Sequence, residues 1–159
     1  MSHRNKVHSL VEKLKGYPAG LWLFSRMVCF KAPYFGSIRP TFTVLEPGKG
    51  VARLRKRRKV TNHLGTVHAI AMANLCEFLG GTLMEVSIAP NMRWIPKGMD
   101  IRYLAKASTD VIASCDIHDI DWRETEDVVL AVSVHDTAGT LVATAEIPMY
   151  VSPKPAKRG

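Results

Sequence analysis

Residues 66–79, TVHAIAMANLCEFL, constrain the fold more than any other stretch. They are rich in Ala, Met and Leu and hold neither proline nor glycine, which predicts a helix. Gly65 allows a tight turn just before it, and Gly80-Gly81 predict its end. The helix is apolar nearly all round, with only the polar Asn74 and Glu77 breaking the pattern near its C-terminal end. A helix of that kind has no solvent face and must be enclosed by other elements. In a chain of 159 residues, 47% of them hydrophobic, one domain can supply the enclosure.

The flanking segments say what encloses it. Val7, Leu10, Val11 and Leu14 recur at helical spacing, and Gly16 and Pro18 end that helix. Pro18 then suits the first turn of a second helix over residues 18–30, apolar on most of its surface and expected to be buried. Pro33, Gly36 and Pro40 mark a loop. From Thr41 the period falls to two: residues 41–46 and 51–59 read as strands joined by the turn at 46–50. Beyond the central helix, residues 91–95 and 100–106 read as one long strand bent at 96–98. Residues 108–117 form another, followed by an acidic loop over 118–126. Residues 127–136 and 140–151 make a final hairpin around Thr137-Ala138-Gly139. The Pro- and Lys-rich end, 153–159, is expected to be disordered. Strand–helix–strand alternation is absent, so an α+β fold with an antiparallel sheet around one helix is expected.

Charge adds a polarity along the chain. The net charge is +8, and 14 of the 22 Lys and Arg fall in residues 1–59 against only Glu12 and Glu46. That points to an anionic partner. No uninterrupted apolar run approaches the ~18 residues needed to cross a bilayer; the best, residues 21–30, is broken by Ser25 and Arg26. The N-terminus shows no continuous apolar segment or small-residue cleavage site, so a cytoplasmic protein is expected. Cys29, Cys76 and Cys115 are odd in number and widely spaced, which suits buried free thiols.

The chemistry concentrates at Asn62-His63-Leu64-Gly65-Thr66-Val67-His68-Ala69-Ile70. First-turn N–H groups lack intrahelical partners and sit at the positive end of the helix dipole, where an oxyanion binds well. Glu77 follows His68 by nine residues, two and a half turns, on roughly the opposite face of the helix. The two ends are about 12 Å apart at 1.5 Å per residue, so Glu77 is expected to meet the helix start of another copy across a dimer interface. A carboxylate in so apolar a helix needs a partner or a task. The plainer alternatives stand beside these readings: Glu77 bonded to a neighbouring strand, His68 as a core histidine, Asn62 as a loop residue. His118, Asp119 and Asp121 loosely suggest metal ligands but read better as a solvated acidic loop. No GxSxG, P-loop or GxGxxG is present.

The spacing Asn62-x-x-Gly65-x-x-His68, with Glu77 on the same helix, resembles the phenylacetate-pathway branch of the hotdog-fold thioesterases. There the pattern is Asn-x-x-Gly-x-x-His-Gly-Gly with an acid seven residues on. Residues 100–107, DIRYLAKA, are similar to the family's strand ending Tyr-Leu-Arg-Pro-Ala, and residues 136–143 to its last hairpin. The likeness covers residues 40–150; the two helices ahead of it resemble a less characterised hotdog branch. It implies a sheet wrapped around one helix, a dimer or dimer of dimers, and an active site between subunits. It implies hydrolysis of acyl-CoA without metal or redox cofactor. By the same carry-over, Glu77 is general base or nucleophile, the Ala69 N–H polarises the thioester carbonyl, Asn62 orients water or the carbonyl, and His68 lies beside the oxyanion. Ala69-Ile70 replaces the Gly-Gly pair, which keeps the N–H donors and narrows the approach to them.

Gly65 and Ile70 would then border the substrate, and apolar residues of the long helix and of 18–30 would line the acyl tunnel. Arg53, Arg55, Arg57 and Arg58 would meet the phosphates of coenzyme A, although a solvated edge strand explains the same run, and a nucleic-acid surface fits less well for want of interleaved aromatics. The expected organisation is a helical extension (1–36), a hotdog domain (37–152) and a basic tail (153–159). Acyl-CoA and further copies of the chain are the expected partners, with neither nucleic acid nor membrane among them. Acyl-CoA binding without turnover is the alternative function. A hydratase would need a His and an acid placed together, which the sequence does not provide.

Overall fold

The computed structural model describes residues 5–117, 120 and 126–155. Two helices, α1 (Lys6–Lys15) and α2 (Gly20–Lys31), and the single turn α3 (Pro33–Gly36) precede the hairpin β1 (Thr41–Glu46) and β2 (Lys49–Leu54). The long helix α4 (Ala69–Ser87) follows, then β3 (Met92–Pro96), β4 (Asp100–Tyr103), β5 (Val111–Asp116), β6 (Glu126–Asp136) and β7 (Leu141–Pro153). The strands form one antiparallel seven-stranded sheet in the order β1-β2-β5-β6-β7-β3, with β4 beside β3 on β7. It curls around α4, the hotdog arrangement expected from the sequence.

The core explains that curl. Leu75, Cys76, Phe78, Leu79, Leu83 and Met84 of α4 are wholly buried against Ala113, Leu130, Val134, Ile147 and Met149 of the sheet. By length and composition α4 could cross a membrane; here most of it is enclosed by protein. Phe78 stacks on Phe42 of β1 at 4.4 Å and meets Phe35 of α3 edge-on at 5.5 Å, joining three elements.

Several elements depart from the sequence expectation. The central helix does not stop at Gly80-Gly81 but runs on to Ser87. These glycines serve close packing instead: a Cβ on Gly80 would lie 3.2 Å from Leu130 and one on Gly81 3.1 Å from the Trp94 ring. Strand β2 ends at Leu54, not at residue 59, and the basic run continues as a loop and a 3-10 turn, Arg58–Val60. The expected bent strand is two short strands, β3 and β4, ending at Tyr103. Pro18 lies in the turn before α2, not in its first helical turn. The largest correction concerns α2 itself, expected to be buried. Only Gly20, Phe24, Ser25 and Cys29 are, while Trp22, Leu23, Met27 and Phe30 face outward, Phe30 with 90% of its surface free. The tail is also tied further along than expected, since Lys154 donates from its backbone to Asn91 and from Nζ to the Pro90 carbonyl.

The N-terminal helices are pinned to the sheet and to α4. Asn5 caps α1 through Oδ1 to the His8 N–H at 2.8 Å, while its Nδ2 donates to the carbonyls of Glu85 at 2.6 Å and Ile88 at 3.0 Å. One side chain thus serves the start of α1 and the end of α4, where carbonyls lack helical partners. Buried Ser25 accepts from the Phe42 N–H at 2.9 Å and fixes α2 to β1. Gly20 permits the close approach of α1 and α2, since a Cβ there would sit 1.8 Å from the Leu14 carbonyl oxygen. Gly20→Ala is therefore expected to force the two helices apart at a cost of about 3 kcal/mol, the upper end for overpacking, measured by urea denaturation.

Candidate functional site

The loop before α4 is built by Asn62. Its Oδ1 accepts from the Leu64 N–H at 3.0 Å and the Thr66 N–H at 3.2 Å, and its Nδ2 donates to Thr66 Oγ1 at 2.9 Å. This is the local turn chemistry that short amide side chains favour. Gly65 supplies the backbone reversal at φ +73°, a conformation that suits glycine. A bridge between Thr61 and Val67 closes the loop. Asn62 thus spends its amide oxygen inside the loop, where it holds the approach to the helix.

His68 is the N-cap of α4. Its Nδ1 accepts from the Ile70 N–H at 3.0 Å. A ring nitrogen that accepts carries no proton, so the neutral imidazole holds its proton on Nε2. His68 and Ile70 are both exposed, which removes the reading of His68 as a core histidine. With the Ile70 N–H taken, the Ala69 N–H has no acceptor among the described residues. Amide donors therefore remain at the positive end of the helix dipole, the Ala69 N–H among them.

Around this tip, Leu64, Ile70, Tyr103 and Leu104 present exposed apolar surface, and the Tyr103 hydroxyl donates to the Ala69 carbonyl at 3.1 Å. Partial burial, then the neighbouring Cys76, push the Tyr103 pKa up, so the phenol stays protonated as this donor. The sequence reading placed Tyr103 on a strand without seeing that it reaches the helix start.

Glu77 is an exposed residue on a helix that is otherwise largely buried, with no hydrogen bond or ion pair among the described residues. It opens into a groove of about 1260 Å³ lined by α1, α2, α3, α4 and β3. Glu77 and the tip of its own helix are eight residues, about 12 Å, apart. A single carbonyl cannot touch both within one chain. The outward stripe of α4 continues along the groove through Gly81 to Glu85, whose Oε2 accepts from the Trp94 indole at 2.8 Å. Asn74, one turn before Glu77, is buried, donates to the Tyr34 carbonyl at 3.3 Å, and leaves its Oδ1 unpartnered.

The arginines divide. Arg53 on β2 pairs with Asp110 at 2.5 Å, and Arg57 donates to the Ser37 carbonyl at 3.1 Å. Arg55 and Arg58 are exposed, with no side-chain hydrogen bond or ion pair among the described residues, although the Arg55 charge acts on Asp110. None of the four lines the groove. Their segment nevertheless leads to the helix tip, where the Val60 carbonyl accepts from the His68 N–H at 2.8 Å. Partial burial raises the pKa of Asp110, but the Lys56 N–H and the Arg53 guanidinium outweigh it and hold the carboxyl below 3.8. A folded pKa below the unfolded one stabilises above the unfolded value, and the gain is lost as pH falls through the folded one. Asp110→Ala is expected to lower stability by about 1 kcal/mol at pH 7, with the gap to wild type narrowing as the pH falls through and below the ordinary aspartate range, as read by thermal melts.

All three cysteines are free and buried. Burial pushes Cys76 and Cys115 up to about 12, which removes them as thiolate nucleophiles. Among the described residues no cluster of three His, Cys, Asp or Glu could hold a metal ion; His118, Asp119 and Asp121 lie outside those residues.

Known proteins agree with this architecture. A family model described as a domain of unknown function, DUF4442, matches residues 20–151. A structural-genomics crystal structure is 43% identical over 93% of this chain and 99% of its own, with a TM-score of 0.81. A protein from Pseudomonas aeruginosa described as a probable thioesterase is 22% identical over 87% of this chain and 97% of its own, at 0.74. A Haemophilus influenzae thioesterase is 9% identical over 79% and 87%, at 0.69. None of the curated proteins matches the sequence.

Proposed function

The chain belongs to the DUF4442 family, and from that footing we propose that it is an acyl-CoA thioesterase whose active site forms between two copies. The carrying observation is Glu77, a carboxylate with no partner among the described residues, held at the mouth of an apolar groove on the central helix of a hotdog fold. Structural neighbours bearing the name thioesterase support the reaction class.

In this reading Glu77 of one protomer faces the helix tip of its partner. The thioester carbonyl oxygen accepts from the Ala69 N–H, and the helix dipole favours the charge that develops on that oxygen. Glu77 takes a proton from water as the water oxygen attacks the carbonyl carbon. The tetrahedral intermediate then expels the thiolate, the C–S bond breaks, and the proton passes from Glu77 to sulfur. Asn62 and Gly65 act by setting the loop, and His68 presents Nε2–H beside the oxyanion. The exposed apolar residues at the tip, Leu64, Ile70 and Leu104, give the second copy a surface to bury. Arg55 and Arg58 supply guanidinium groups for the coenzyme phosphates.

A second reading, acyl-CoA binding without turnover, draws on the Ile70 N–H. That donor is spent on His68, so it is not offered to the oxyanion. Free-thiol release across a panel of acyl-CoAs separates the two. Release above the uncatalysed rate supports hydrolysis, and tight binding without release supports the second reading.

A further inference from the structure

The groove at Glu77 has a direction. At the Glu77 end α3 packs on α4 through Phe35 on Phe78 and the Tyr34 carbonyl on Asn74, and Lys31 and Ala32, which lead directly into α3, line the same groove. At the other end Asn5 ties the start of α1 to the Glu85 carbonyl and Trp94 bonds the Glu85 carboxylate, with Val7 and Leu10 of α1 adding to the lining. Met27, Val28 and Phe30 form the α2 wall between. The near end carries the exposed Lys31 with no ion pair among the described residues. The acid at the far end is held by the Trp94 indole. Gly81 keeps the floor low, since a Cβ there would press on the Trp94 ring at 3.1 Å. The volume exceeds the ~300–1,000 Å³ of ordinary small-molecule pockets.

We infer that this groove is the channel for a long, unbranched acyl chain, with its carbonyl end at Glu77 and its methyl end against Trp94 and α1. The inference rests on the thioesterase reading for its orientation. Its length follows from the helix: Glu77 to Glu85 spans eight residues, about 12 Å at 1.5 Å each. An extended chain advances about 1.2 Å per bond, as a polypeptide's 3.3–3.6 Å over three bonds shows. The groove therefore holds about ten carbons, and it selects acyl groups of that length or more over acetyl and butyryl groups. Of the other charged side chains lining the groove, Arg26 donates to the Pro40 carbonyl and the Glu85 carboxylate accepts from the Trp94 indole, which leaves Lys31 as the cation with no bonded partner among the described residues, suited to the anionic carrier. The N-terminal helices thus become the determinant of chain length.

The test measures binding apart from turnover. Non-hydrolysable acyl-CoA thioethers with acyl chains of two to sixteen carbons are titrated calorimetrically into the wild-type protein and into Met27→Trp, which fills the channel midway. Wild-type affinity is expected to rise about threefold to fourfold per methylene, from ~0.8 kcal/mol per buried CH₂, and to level off near ten carbons. In Met27→Trp the levelling is expected several carbons earlier. Val28→Trp is a second blocking variant should the first fail to fold. Chain-length-dependent binding supports the channel even if no thiol is released from the thioesters, an outcome that removes only the hydrolase reading. Thiol release with affinity independent of chain length overturns the channel and leaves the hydrolase. A levelling point unmoved in both variants also overturns it. So does absence of binding at every length, the result expected if a second copy fills the groove.

Discussion

Glu77→Ala is expected to lower thiol release from acyl-CoA by about 10³-fold, within the usual 10²–10⁴ for a general base, while leaving the fold intact. Both halves of that expectation come from the same geometry. Glu77 is solvent-exposed and makes no bond within its own chain among the described residues, so its loss orphans nothing and opens no cavity. Stability is expected within about 0.5 kcal/mol of wild type, as for surface changes generally. Glu77→Gln keeps the size and removes the base, and it is expected to fall as far. Unchanged turnover in either variant removes Glu77 from the chemistry. Because water would be the nucleophile's source, the loss is expected in kcat more than in KM.

Phe78→Ala is expected to cost about 3–5 kcal/mol, the range for emptying a buried phenylalanine site. Phe78 is wholly buried, stacked on Phe42 and edge-on to Phe35. Its removal loosens β1, α3 and α4 together, and with them the end of the groove that holds Glu77. Guanidinium or urea unfolding should show the loss as a shifted midpoint with little change in slope. A midpoint within 1 kcal/mol of wild type would mean that the aromatic cluster does not join these elements.

What the sequence disclosed follows a physical divide. The apolar segment over 66–79 could only be an enclosed helix, although the helix begins at Ala69 after a bridge at Val67 and the His68 cap, and the period-two alternation at 41–46 and 127–136 could only be strand, so the sheet around one helix was legible. Gly80-Gly81 misled because glycine signals both a helix end and a close contact, and only the position of Trp94, Leu130 and Ile147 decides between them. The run at 51–59 alternates well enough for a strand, but only its first residues pair with β5. Helix α2 looked buried by composition, yet most of its large side chains face outward. At the site, Asn62, Gly65 and His68 were legible as a loop and helix start because their bonds are local. The groove was legible only in part: apolar residues of the long helix and of 18–30 were expected along an acyl tunnel, but its walls from residues 7–10, 32–35 and 94–96 come from segments that no local pattern links to the helix.

The contact of Trp94 with Gly81 and Glu85 carries an optical consequence. The indole forms part of the groove wall and is half-buried, with its N–H fixed to a carboxylate. Any apolar guest that displaces water there changes the polarity around this one chromophore. The chain has three tryptophans, so replacing Trp22 and Trp122 by phenylalanine leaves a protein whose ultraviolet emission colour reports occupancy directly, without a label.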